Sequence, residues 1–144
     1  MSEVERSALV NYSAQQMFDL VNDVNRYSEF LPGCVSSKVL ELTDQSMLAL
    51  MELKKGPIKQ AFTTRNTMVN GLSIDMKLQD GPFNYLHGRW SFRQLADDAC
   101  KVEFDLNFEF SSRLVDVAFG RIFNELTSRL VDSFVARAEV IYGK

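Results

Sequence analysis

Apolar residues between Arg113 and Tyr142 recur at helical spacing. Turned at about 100° per residue, Phe119, Phe123, Leu126, Leu130, Phe134, Ala138 and Ile141 share one face, and Arg121, Glu125, Arg129, Asp132 and Glu139 share the other. Ile122, Val131, Val135 and Tyr142 widen the apolar arc past half the circumference. The pattern predicts one uninterrupted helix of roughly 45 Å at 1.5 Å per residue. A helix this apolar needs more than one surface to cover it. Gly120 points into the apolar arc. It has three readings: a bend, a close backbone approach, or room left for something else.

The rest of the chain reads mostly in period two. Glu3 to Asn11 is a first strand whose alternation is imperfect, because Arg6 shares a face with Val4, Ala8 and Val10. Ser13 followed by Gln16 is a capping box that opens a short helix, with Met17, Phe18, Val21 and Val24 as its apolar stripe. A second helical turn covers Arg26 to Phe30 and ends at Pro32-Gly33. Six strands follow as a meander: Val35 to Thr43, Met47 to Lys54, Ile58 to Val69, Leu72 to Gln79, Tyr85 to Leu95 and Cys100 to Phe110. Asn70-Gly71 predicts a two-residue type I′ hairpin. Leu72, Ile74, Met76 and Leu78 are expected inside, as are Leu86, Gly88, Trp90 and Phe92. In the last strand Val102, Phe104, Leu106, Phe108 and Phe110 alternate with polar residues.

One-sided alternation on consecutive hairpins means an antiparallel sheet with one wet face. The dry face needs a cover, and the C-terminal helix is the element long enough to supply it. The expected class is α+β: a curved antiparallel seven-stranded sheet wrapped around a long C-terminal helix, with two short helices after the first strand. The 144 residues suit a single domain, 1–144, with one sizeable core.

Composition adds little. Eleven Phe point to an aromatic interior, and a net charge of −3 gives no general pull toward nucleic acid, so DNA is not an expected partner. Cys34 and Cys100 match no metal spacing and are expected as free thiols in a reducing compartment. The polar start and the lack of a long apolar run lead to an expectation of a soluble, cytoplasmic protein.

Candidate chemistry is sparse. His87, the single histidine, alternates with inward Leu86 and Gly88 and is expected to face solvent. Asp116 lies in the opening turns of the long helix, where a carboxylate favours the N-terminus. No phosphate-binding loop or dinucleotide fingerprint is present. Strand Ile58 to Val69 carries Gln60, Thr64 and Asn66 on its inward side. These either line a wet pocket that orients a ligand head group, or bond to neighbours in a twisted or edge strand. The loop Tyr27 to Cys34 is either a plug for the open end of the sheet or an apolar lid over a pocket. Gly88 and Gly120 both remove side-chain volume from the interior. Lys54, Lys55, Lys59 and Arg65 form a basic patch around the Gly56-Pro57 hairpin. The patch is either a solvated hairpin or a surface for lipid or RNA phosphates.

Several segments carry a family likeness over nearly the whole chain. They are Tyr27-Ser28-Glu29-Phe30-Leu31-Pro32-Gly33-Cys34; Asp80-Gly81-Pro82-Phe83 continuing to Leu86, Gly88 and Trp90-Ser91-Phe92; and Phe108-Glu109-Phe110 leading to Ala118-Phe119-Gly120-Arg121. With them the chain resembles the START-like (Bet v 1-like, polyketide cyclase/dehydrase and lipid transport) superfamily. It is more closely similar to the coenzyme Q-binding Coq10 family and its bacterial branch, the ribosome association toxins. The mitochondrial branch carries Trp after the Pro of the first segment; Gly33 stands here, as in the bacterial branch. The resemblance implies no enzymatic activity and no cofactor. It implies a hydrophobic pocket for ubiquinone or a similar isoprenoid quinone or other lipid, in support of respiration. Phe62, Trp90, Phe104, Phe108, Phe119 and Phe123 would line the pocket, and Tyr27, Phe30, Leu31 and Pro32 would form its lid. Peripheral contact with the inner membrane face goes with that role. The bacterial branch implies a second role, a toxin that binds the large ribosomal subunit and blocks subunit association, with Lys54, Lys55, Lys59 and Arg65 as the partner surface. Aromatic polyketide cyclases share the fold, but a convergent acid/base pair is missing from the sequence.

Overall fold

The structure is a computed structural model and describes residues 2–143. Its elements are β1 (Ser2–Val10), α1 (Ala14–Asn22), a 3-10 turn (Val24–Glu29), β2 (Cys34–Leu42), β3 (Ser46–Lys55), β4 (Ile58–Val69), β5 (Ser73–Asp80), β6 (Phe83–Ala96), β7 (Ala99–Phe110), α2 (Arg113–Ser128) and α3 (Leu130–Tyr142). The strands form one antiparallel sheet in the order β1-β7-β6-β5-β4-β3-β2. Consecutive hairpins build all of it except β1, which closes on the last strand. The dry face packs on α2 and α3 as expected, with Trp90, Phe104, Phe108, Phe119, Phe123 and Phe134 fully buried between them.

Local signals set the boundaries. The Ser13 hydroxyl accepts the Gln16 amide at 3.1 Å, and the Gln16 side chain accepts the Ser13 amide at 2.9 Å. The capping box is therefore made in full. The Asn70-Gly71 turn differs from expectation. Val69 pairs with Ser73, so three residues turn the chain. Only Gly71 of the three has positive φ, at 74°, whereas a type I′ turn needs it at both central positions. Leu72 consequently belongs to the turn and is 60% exposed rather than buried. Gln60 is half-buried, not part of the core.

The C-terminal helical span is present but broken at Arg129, between α2 and α3. Two neighbouring side chains cause the break. The Thr127 hydroxyl donates back to the Phe123 carbonyl at 2.9 Å, and the Ser128 hydroxyl to the Glu125 carbonyl at 3.3 Å. Such back-bonding bends helices, and the Arg129 amide drops to the Leu126 carbonyl at 3.2 Å. The freed Ser128 carbonyl accepts Arg6 Nε from β1 at 3.2 Å. This bond accounts for a cation on the inward side of the first strand.

Candidate functional site: a cavity between sheet and helix

A cavity of about 70 Å³ lies between the concave sheet face and the broken helix. Its sheet wall is built from Ala49, Met51, Phe62, Met76, Leu86, Trp90, Phe104 and Leu106. The helical wall straddles the break, with Phe123, Leu126 and Thr127 before it and Leu130 and Phe134 after it. Tyr27 and Val24 of the 3-10 turn close one side. The volume falls short of the roughly 300–1,000 Å³ of typical ligand pockets. It suffices for one small ring or a few waters.

The wall is apolar apart from one spot. Thr64 and Asn66 are both buried on β4, two residues apart and so on the same side of the strand. The Thr64 hydroxyl bonds the Asn66 side-chain oxygen at 2.8 Å. That bond uses one end of the carboxamide and leaves the other end on the cavity wall. Thr127 adds a third polar side chain, its hydroxyl already donating to the Phe123 carbonyl. Tyr27 is the ionisable group on the wall. Its hydroxyl donates to the Val21 carbonyl, and burial pushes its pKa up. A phenol held this way stays protonated near neutral pH.

Five of the residues expected to line the pocket or cover it lie on the cavity wall: Tyr27, Phe62, Trp90, Phe104 and Phe123. Phe108 and Phe119 do not. They pack with Phe83, Phe110 and Phe123 in an aromatic cluster toward the start of α2; Phe108 and Phe123 centroids are 4.8 Å apart, and Phe119 and Phe123 centroids 5.8 Å. Phe83, which opens β6, is buried at the centre of that cluster and was not among the expected inward residues. Phe30 stacks edge-on behind Phe134 at 5.2 Å and Leu31 is buried, so both plug the end of the sheet without reaching the cavity. Pro32 is exposed and lines an outer groove with Gly33.

The glycines also act differently from expectation. Gly120 is neither a bend nor a wall of the cavity. A Cβ there would meet Asp116 Oδ1 of its own helix at 2.5 Å and the Phe110 ring at 3.5 Å. At Gly88 a Cβ would meet Met76 at 2.7 Å and Leu106 at 3.1 Å. The space that Gly88 leaves is taken by two side chains that themselves form the wall.

Three of the four cations of the basic patch have a carboxylate partner. Lys55 pairs with Glu125 at 3.2 Å, Lys59 with Glu52 at 3.5 Å and Arg65 with Glu41 at 3.1 Å. Arg65 also stands apart, since it pairs across the sheet with Leu48 while Lys59 faces Lys54. Arg65 is six residue steps along the strand from Lys59, roughly 20 Å. His87 is exposed on the wet face and bonds Asp75 at 2.9 Å, away from the cavity. Among the described residues no cluster of His, Cys, Asp and Glu could hold a metal ion, and no helix is long and apolar enough to cross a membrane.

Comparison with known proteins agrees with this architecture. The family model for polyketide cyclase / dehydrase and lipid transport matches residues 10–135. The ribosome association toxin RatA of Vibrio cholerae is 54% identical over 144 residues, all of both chains. The mitochondrial coenzyme Q-binding protein COQ10 homolog B of Xenopus laevis is 30% identical over 146 residues, covering 99% of this chain and 60% of its own. Two solved structures share the fold at low identity. The Zhui aromatase/cyclase from Streptomyces has a TM-score of 0.82 at 14% identity, covering 96% of this chain and 93% of its own. A START superfamily protein from Mycobacterium smegmatis has a TM-score of 0.79 at 19% identity, with 96% and 98% covered. The chain belongs to the polyketide cyclase / dehydrase and lipid transport family, and within it stands with the ribosome association toxins.

Proposed function

We propose that this chain is a ribosome association factor of the toxin type, binding the large ribosomal subunit and hindering subunit joining. The observation that carries this reading is 54% identity to such a toxin across the entire length of both chains. Lys54, Lys55, Lys59 and Arg65 would form the contact, with the last three exchanging exposed carboxylate partners for phosphates. Sedimentation tests it: purified protein added to separated subunits should travel with the large one and lower the yield of joined ribosomes. Protein that stays at the top of the gradient at low salt, where phosphate contacts are strongest, overturns it.

A second reading is favoured by the cavity. An otherwise apolar wall carries one carboxamide with a free end, the arrangement that orients a ligand by a single polar group. An isoprenoid quinone fits that chemistry, with a ring carbonyl accepting from Asn66 and the tail in apolar surroundings. The cavity would have to widen, and the break at Arg129 divides the wall that would move. The wall offers no group able to take and return a proton near neutral pH, which supports binding rather than catalysis. A short-chain quinone should raise the melting temperature of wild-type protein; no shift at saturating concentration would count against this reading.

A further inference from the structure

Leu114 and Val117 are the most exposed large apolar side chains among the described residues, at 78% and 76%. They lie three apart on α2 and so share its solvent face. Helical spacing places Arg121 four residues beyond Val117, and Arg129 two turns further on. Below them an outer groove of about 280 Å³ runs between α2 and the β3 end, lined by Lys54, Lys55 and Arg129 with one carboxylate, Glu125, over Ile122 and Leu126. Leu126 is also a wall of the internal cavity, so one side chain separates groove from cavity. Among the described residues only Lys55 of these cations makes an ion pair, with Glu125. The local surplus of positive charge contrasts with the net charge of −3 for the whole chain.

We propose that the outer face of α2, with Lys54 and Lys55, docks on an anionic lipid bilayer and sets the Leu126 side of the cavity against the lipid. Arginines interleaved with exposed Leu and Val are the pattern of an interfacial helix, whose cations meet lipid phosphates while its apolar groups enter the acyl boundary. An RNA partner would use the cations and leave Leu114 and Val117 in water. The proposal deepens the quinone reading by supplying a route for an apolar ligand. Docking itself needs no quinone, so a failure to dock and a failure to bind quinone are read separately.

The test is flotation of the full chain with vesicles of phosphatidylglycerol and phosphatidylcholine, or of phosphatidylcholine alone. Wild-type protein should float with the anionic vesicles and stay behind with the neutral ones. Leu114→Ser with Val117→Ser should abolish flotation. Arg121→Glu should weaken it by about tenfold or more. All three positions are exposed, and an unchanged melting temperature will show that the variants are folded. The proposal falls if wild-type protein ignores anionic vesicles at low salt, or if neither variant changes flotation. It falls too if Arg121→Glu lowers ribosome co-sedimentation while the double serine variant leaves flotation intact.

Discussion

Thr64 and Asn66 bond to each other at 2.8 Å on the buried side of β4, and both face the cavity. A buried hydroxyl and carboxamide are costly in an apolar wall unless paired. The pair lowers that cost for one end of the amide only. The remaining end stays on the cavity wall.

Asn66→Leu should cost about 1–3 kcal/mol, because it strands the Thr64 hydroxyl in an apolar wall. Thr64→Val alone should cost a similar amount. The double variant should cost less than the sum, since no unpaired polar group remains. Urea unfolding of the four proteins measures this, and any quinone-induced rise in melting temperature should vanish in both Asn66 variants.

Ala49 lies opposite Thr64 in the sheet and lines the cavity. Ala49→Val adds two carbons to space that is already open. Stability should stay within about 1 kcal/mol of wild type or rise slightly. Quinone binding, read by tryptophan fluorescence of Trp90 on the same wall, should weaken sharply. Ribosome co-sedimentation should not change, which would separate interior from exterior function.

The architecture was legible because most strands alternate and turn residues separate them. Position along an element was less legible. Periodicity places Phe108 and Phe119 on the inward side correctly but says nothing of depth, and they fall in the aromatic cluster beside the cavity. Phe83 escapes a period-two reading because a register shift separates it from Tyr85. Phe83 and Leu86 are therefore both buried although they are three apart. The helix break had a readable signal, consecutive Thr127-Ser128 in a helix interior. Arg6 on the inward face of β1 becomes intelligible only once that break exposes a carbonyl.

Arg137 anchors the 3-10 turn to α3. Its guanidinium bonds Glu29 at 2.7 Å and lies 4.9 Å from the Phe30 ring centroid. Arg137→Ala should lower stability by about 1–2 kcal/mol, the sum of a partly buried ion pair and a cation–π contact. Hydrogen exchange should quicken selectively in residues 24–31, since Arg137 is their ion-pair tie to α3, beside the packing of Tyr27 and Phe30 on Phe134 and the Asn25 bond to Val39 of β2. Uniformly faster exchange would mean that the contact supports the whole fold rather than this turn.

Cys100 is wholly buried, and burial pushes its thiol pKa from 9.0 up to about 11. Burial likewise raises Cys34, aided by the charge of Glu52 and opposed by hydrogen bonds with Ser36 and Ser37. A raised pKa means that the folded state holds the proton more tightly than the unfolded chain. The resulting stability is complete below the ordinary value near 9 and is lost as pH climbs toward about 11. The melting temperature should therefore be flat on this account from neutral pH to about 8.5 and fall above 9. Cys100→Val, which keeps a small apolar side chain, should flatten part of that fall. Cys34 should add to it, and Tyr27 and Tyr142 should contribute at still higher pH, because burial raises their pKa as well. A thiol reagent at pH 8 should react with neither cysteine until the protein unfolds, and rapid labelling of native protein would show that the core around Cys100 opens far more readily than its packing implies.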